Sequence, residues 1–281
     1  MSHPERVPRA MTIAGSDSGG GAGVQADLKT FAALGVFGTS ALTAVTAQNT
    51  TGVTAVQEVD LDVIAAQIDA IVSDIGVDAT KTGMLSSAAI VQLVAQKVSE
   101  HGLSPLVVDP VMVAATGARL LHEGAVSAIM AELLPLATVV TPNIPEAEAM
   151  LGREIKNVAG MRDAARAIHA FGPQCVVVKG GHLERSADSP DVLFDGTGFT
   201  EFPGRRIRTT SNHGTGCTFA SAVAAGLAHG RPVEQAVADA KAYVTAAIES
   251  AFPVGRGHGP LNHFHGWWQS EGGPYGSRRG T

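Results

Sequence analysis

The chain has 281 residues, 45% of them hydrophobic and only 5% aromatic, with a net charge of −6, enough apolar chain for one large α/β domain or two small ones. The acidic balance excludes a nucleic-acid binder with the usual basic face, and no run of about 18 apolar residues is long enough to span a membrane. Cys175 and Cys217 form neither a disulfide framework nor a zinc spacing, and the first ten residues lack the apolar core of a signal peptide, so a reducing, cytoplasmic compartment is expected.

The predicted elements alternate between strand and helix. Residues 10–14 read as a short buried strand, followed by a glycine-rich run from Gly15 to Gly23 and an apolar-periodic helix over 24–34. Strand-like runs recur at 40–45, 106–109, 138–141 and 175–179. Helical patterns fill 61–75, 86–101, 124–134 and 161–171, and two more follow at 215–229 and 232–250. This alternation predicts βαβ units and a mainly parallel sheet covered on both faces. Short runs at 192–194, 199–202 and 207–209 predict a small meander broken by glycines and Pro203. Nothing repeats at a fixed period and no linker divides the chain, so residues 1–268 are expected to form a single domain. The polar, Gly-rich residues 269–281 are expected to be a disordered tail.

The residues with chemical potential gather at the ends of these strands. Asn212-His213-Gly214-Thr215-Gly216-Cys217-Thr218 lies between a strand-like run and a long small-residue helix. A helix start binds anions through its free amides and positive dipole end, so Gly214, Thr215 and Gly216 are placed to cradle a transferring phosphate. Cys217 falls in the first turn, where thiolate formation is favoured; the alternative is a small-residue turn with Cys217 as core filler. Asp109 ends one strand, Thr141-Pro142-Asn143 and Glu146 follow the next, and Lys179 ends a third. Ligands bind at the carboxyl ends of such strands. Asp109 is a candidate for Mg²⁺, Asn143 and Glu146 for metal-bound water, and Lys179 for phosphate charge. Each has an ordinary alternative as a turn, first-turn or exposed residue, and so has Asp27 at the start of the first helix. Three successive strand ends carrying Asp109, Asn143 with Glu146, and Lys179, followed by the helix start at Gly214 to Gly216, are the parts that phosphoryl transfer needs. Gln48 offers an acceptor and donors on one amide, which match an exocyclic amine beside a ring nitrogen. His263 and His265 form an i, i+2 pair with no third ligand beside them and read as structural.

In order along residues 9–268, the segments Ala14 to Thr30, Thr43 to Thr50, Lys81-Thr82-Gly83-Met84-Leu85, Asp109 to Val113, Thr141 to Glu146, Lys179 to His182, His213 to Cys217 and Gly257-His258-Gly259-Pro260 resemble the hydroxymethylpyrimidine/phosphomethylpyrimidine kinases of thiamine synthesis. The resemblance implies a ribokinase-like three-layer αβα sandwich, typically a homodimer. It implies a kinase using ATP and Mg²⁺ that phosphorylates the pyrimidine alcohol and then its monophosphate. It places Gln48 on the pyrimidine edge and Gly15, Asp27, Met84 and Val111 around the ring. Lys179, Asn143 and Thr141 fall on the ATP side, Asp109 and Glu146 at the metal, and Cys217 where many sugar kinases of that superfamily carry a catalytic Asp. Val113-Ala114-Ala115-Thr116-Gly117 departs from the family pattern by lacking a lysine.

Three other readings compete. A pyridoxal or pyridoxine kinase would also accept a hydroxymethyl group on a flat heteroaromatic ring. A non-catalytic pyrimidine-phosphate sensor would need neither Asp109, Lys179 nor Cys217. A dinucleotide-binding dehydrogenase would need an acid after the second strand, where Gln48 and Asn49 stand instead.

Overall fold

The computed structural model describes residues 6–112, 121–122, 124–183, 188–268 and 270. The Val113–Gly117 departure and all of the expected tail except Ser270 lie outside them. The strands are β1 (Arg9–Ala14), β2 (Phe37–Leu42), β3 (Ala44–Asn49), β4 (Gly52–Glu58), β5 (Ala79–Thr82), β6 (Leu106–Val108), β7 (Val139–Val140), β8 (Cys175–Val178), β9 (Asp191–Phe194) and β10 (Phe199–Phe202). The helices are α1 (Gly23–Ala33), α2 (Leu61–Ala70), α3 (Ala88–His101), α4 (Ala125–Ala128), α5 (Ile144–Leu151), α6 (Val158–His169), α7 (Thr215–Ala228), α8 (Val233–Glu249) and α9 (His265–Trp268). Eight strands form one sheet in the order β10-β9-β8-β7-β6-β5-β1-β2. Six are parallel, and β9 and β10 add antiparallel at one edge. Helices cover both faces, as expected for a three-layer α/β fold.

Alternation along each strand feeds two cores, because successive side chains point to opposite faces. Leu106, Val108, Val140, Val176 and Val178 face α3, α5 and α6. Val107, Val139, Cys175 and Val177 face α7 and α8. Small residues let α7 approach α8 closely: a Cβ on Gly226 would lie 2.8 Å from that of Ala236. The chain begins at β1, moves outward to β2, then crosses back to β5 on the other side of β1. The crevice at that reversal is where such sheets bind ligands.

The expected strand over 40–45 divides at Thr43. β2 stays in the main sheet, and β3 leaves it to pair with β4 in an antiparallel hairpin. The division is held by Thr43, whose amide donates to the Ala14 carbonyl and whose hydroxyl donates to that of Met84. β4 and β5 were not expected. β4 is largely exposed and carries no buried stripe, while β5 has the sequence Ala-Thr-Lys-Thr and is buried throughout. No strand forms over 207–209. The helix expected over 61–75 ends in a wider π turn at Ile71–Ile75, and the one over 124–134 passes through a similar turn before Pro135.

Candidate active site

Asp109 follows β6 and is 2% exposed. Its Oδ1 accepts from Lys179 Nζ at 3.0 Å, and its Oδ2 is buried without a hydrogen-bond partner. An anionic oxygen left unpaired in the interior is costly unless a cation or ligand reaches it. Lys179 follows β8, bridged to Asn143 after β7. Asn143 caps α5 reciprocally with Glu146: Glu146 N donates to Asn143 Oδ1 at 2.9 Å, and Asn143 N donates to Glu146 Oε2 at 2.8 Å. Burial pushes the Glu146 carboxyl up to about 7, with the Lys179 charge opposing and the Asp109 charge adding. Burial disfavours the Lys179 ammonium, but the Asp109 and Glu146 charges outweigh it and raise its pKa. An all-oxygen donor set with one unsatisfied buried oxygen fits Mg²⁺.

The start of α7 lies against this pair. A Cβ on Gly216 would stand 3.2 Å from Lys179 Nζ and 3.6 Å from Asp109 Oδ2. Gly214 is the left-handed cap at φ +81°. Thr215 is turned back, its hydroxyl donating to the Asn212 carbonyl at 2.7 Å and its amide at 3.4 Å. Cys217 is half-buried, and its thiol is pushed up to about 12 by burial, against the opposing charge of Lys81. The thiolate expected from a first-turn position is therefore not the resting form: desolvation outweighs the helix start.

Asp17, which the sequence reading missed, organises the first glycine cluster. Its carboxylate accepts from the amides of Gly19 (2.8 Å), Gly21 (3.1 Å) and Ala22 (2.8 Å), and from His213 Nε2 at 2.8 Å. Burial raises the Asp17 pKa, but these donors outweigh it and hold the carboxyl below its usual range. The signal was present as an Asp two residues before Gly19, an Asx-turn spacing. His213 Nε2 also lies 3.3 Å from Gln48 Nε2, so the hairpin residue and the loop leading into α7 meet beside Asp17. Met84 fills the space beside Gly15, where a Cβ would fall 2.3 Å from its methyl.

Asp27, expected around the ring, does not line the cavity. It is fully buried, and its carboxylate accepts from Lys81 Nζ (2.8 and 2.9 Å), Thr12 Oγ1 (2.6 Å) and Ser221 Oγ (2.6 Å). An isolated carboxylate or ammonium would not tolerate this depth, and pairing satisfies both. Lys81 does line the cavity. Thr141, expected on the ATP side, is also fully buried; its hydroxyl faces Asp109 Oδ1 and the Val108 carbonyl at 3.4 and 3.5 Å.

Gly15, Gln48, Met84, Val111, Asn143 and Glu146 line one cavity of about 840 Å³ together with Asp109, Lys179 and residues 214–217. Sequence reasoning missed the part of the wall supplied by Ile207, Arg208, Val244, Thr245 and Ile248, which carry no motif. Elsewhere, Asp69, Glu100 and His101 have metal-ligand spacing, but Lys97 pairs with both acids, making a half-buried ion-pair network. His263 packs against Thr218 Oγ1 at 3.0 Å, the structural role expected of it.

The chain matches the family model described as phosphomethylpyrimidine kinase over residues 17–262. It belongs to the phosphomethylpyrimidine kinase family. It is 52% identical over 263 residues to the Rhizobium meliloti hydroxymethylpyrimidine/phosphomethylpyrimidine kinase, covering 92% of this chain and 98% of that protein. It is 55% identical over 253 residues to the Geobacter sulfurreducens thiamine biosynthesis bifunctional protein ThiED, covering 90% of this chain and 51% of the relative; the chain thus spans about half of that protein. Among solved structures it resembles an ADP complex of Bacillus subtilis pyridoxal kinase, with a TM-score of 0.86 and 44% identity over 92% of this chain and 98% of that one. No helix among the described residues of this kinase-family chain is long and apolar enough to cross a membrane.

Proposed function

We propose that the chain transfers the terminal phosphoryl group of ATP to 4-amino-5-hydroxymethyl-2-methylpyrimidine, and then to the resulting monophosphate, in thiamine biosynthesis. The observation that carries this reading is that one cavity holds both the Gln48 amide and the start of α7 beside Asp109 and Lys179. Gln48 matches the amino group and adjacent ring nitrogen of the pyrimidine, with Gly15, Met84 and Val111 against the ring. The amides of Gly216 and Cys217 and the Lys179 ammonium stabilise charge on the transferred group, with Asn143 beside them. Cys217, in its minor thiolate form, takes the proton of the alcohol and becomes the thiol; Lys81, held by Asp27, supplies fixed positive charge beneath it. Asp109 and Glu146 would hold Mg²⁺, which screens the ATP phosphates when bound.

Residues 1–268 act as one kinase unit, a reading supported by the sheet running unbroken from β2 to β10. The unit works in the cytoplasm, where ATP is at hand and Cys175 and Cys217 remain free thiols. It pairs with a second copy through the β2–β4 side, where Phe37, Val45 and Val56 are about half exposed. Sedimentation of a Val45→Asp, Val56→Asp variant checks this: a monomer is expected, and an unchanged dimer would rule out that face.

The test of function is ATP turnover over a panel of ring alcohols, with the mono- and diphosphate products weighed by mass spectrometry. The pyrimidine alcohol is expected to give the highest kcat/KM and to proceed to the diphosphate. The likeness to pyridoxal kinase supports a second reading, phosphorylation of pyridoxal, and a higher kcat/KM for that alcohol would favour it.

A further inference from the structure

The Gly257-His258-Gly259-Pro260 motif has no part in the chemistry just described. It lies on a strap, residues 255–260, that joins two regions the reaction needs in register. On one side the strap grips Thr50, two residues beyond Gln48. The His258 amide donates to the Thr50 carbonyl at 2.8 Å, and the amides of Gly257 and Arg256 donate to the Thr50 hydroxyl at 3.2 and 3.3 Å. On the other side it grips the segment leading into α7. The Gly259 amide donates to the Thr210 carbonyl and the His213 amide to the Gly259 carbonyl, both at 3.0 Å, while His258 Nδ1 donates to Asn212 Oδ1 at 2.9 Å.

The approach leaves no room for side chains on the strap's inner face. A Cβ on Gly257 would lie 1.9 Å from the Thr50 carbonyl oxygen, and one on Gly259 would lie 2.7 Å from Ser211 Oγ. His258 bonds both sides, through its backbone to the hairpin and through its ring to Asn212. We propose that His258 is a positioning residue for phosphoryl transfer, holding the Gln48 hairpin and the Gly214–Gly216 loop at a fixed separation. The ring edge is bound by one and the transferred group by the other. Their relative position sets whether the acceptor oxygen meets phosphorus in line, and a misplacement of about 1 Å far from the chemistry costs up to about 10²-fold. The inference rests on the pyrimidine-kinase reading above.

The test compares wild type with His258→Ala, His258→Asn, Asn212→Ala and the double variant His258→Ala/Asn212→Ala. His258→Ala is expected to lower kcat/KM for the pyrimidine alcohol roughly ten- to hundredfold, through kcat and the alcohol KM together, with the ATP KM within about twofold. His258→Asn should recover most of this, because the asparagine amide nitrogen falls close to the position of histidine Nδ1. The double variant should lose no more than the worse single one, since both remove the same bond. Wild-type kinetics in His258→Ala, equal losses in the Ala and Asn variants, or additive losses in the double variant would each overturn the proposal. Should His258→Ala not fold, Asn212→Ala with the His258→Asn comparison carries the same test. A wild type inactive on the alcohol would defeat the functional reading instead. Amide exchange then decides the strap: His258→Ala should speed exchange in both 48–52 and 210–216, and a change in neither or only one would overturn it.

Discussion

A Cβ on Gly214 would fall 1.9 Å from the carbonyl oxygen of Gly21, so the two glycine clusters, nearly two hundred residues apart in the chain, interlock backbone to backbone. Gly214 also sits at φ +81°, in the left-handed region where a side chain costs about 1–2 kcal/mol before any clash is counted. Gly214→Ala is therefore expected to push the loops apart, lowering Tm by several degrees and abolishing most turnover on both acceptors. Thermal unfolding together with kcat on the alcohol and on the monophosphate checks this; wild-type values for both would mean that the contact yields without consequence.

The base role proposed for Cys217 separates the two phosphorylations. The alcohol must lose a proton as it attacks, whereas a phosphate monoester with a second pKa of about 6 is largely dianionic at pH 7 and needs no base. Cys217→Ala should slow the alcohol step about 10²–10⁴-fold, the range of a positioned base, and slow the monophosphate step far less. Cys217→Asp should restore part of the first activity. With the thiol held up to about 12, its ionised fraction grows about tenfold per pH unit below that value. The alcohol step should accordingly speed up from pH 7 to 9 while the monophosphate step stays flat. Equal losses on both acceptors would show that Cys217 only shapes the anion site.

Gln48→Ala should weaken binding of the pyrimidine by roughly 1–3 kcal/mol, the scale of one bidentate contact, and leave ATP affinity alone. Titration calorimetry with each ligand separately reads this directly. An unchanged pyrimidine Kd would remove Gln48 from the ring edge.

Asp109→Asn should lower kcat and shift the magnesium titration to higher concentration, because an amide brings no negative charge to the buried Oδ2 position. Wild-type activity across the whole titration would contradict that role.

His263 sets an acid limit on stability. Burial pushes its pKa down from 6.5 to about 4, with Lys29 adding. The unfolded chain therefore binds a proton that the folded chain refuses between those values. Stability is full above about 6.5 and falls as the pH drops toward 4, by on the order of 3 kcal/mol from this residue. His263→Gln should flatten the dependence of Tm on pH over that window. A slope unchanged by the substitution would locate the acid sensitivity elsewhere.

How much of the site was legible follows from what kind of signal each residue leaves. Asp109, Asn143 and Lys179 each end an apolar run, and strand ends in a parallel sheet converge, so sequence alone brought them together. Asp27 lies in a motif as specific as theirs, yet its carboxylate is taken up by Lys81, Thr12 and Ser221. No local pattern tells an acid facing a ligand from one facing a buried lysine 54 residues away. β5 was hidden for the same reason, since Lys81 in a strand reads as exposed until its partner is known.

The sequence by itself determined the alternation of strand and helix and the place of the two glycine-rich turns, because these depend on periodicity and on short spacings between neighbours in the chain, and its motifs carried the resemblance to the family. Tertiary structure alone decided the division of 40–49 into sheet strand and hairpin, the Asp17–His213 junction between the loops and the state of Cys217. Each of those depends on which distant groups share one desolvated space. Burial energies and ion pairs are set by that sharing, and the order of residues along the chain does not encode it locally.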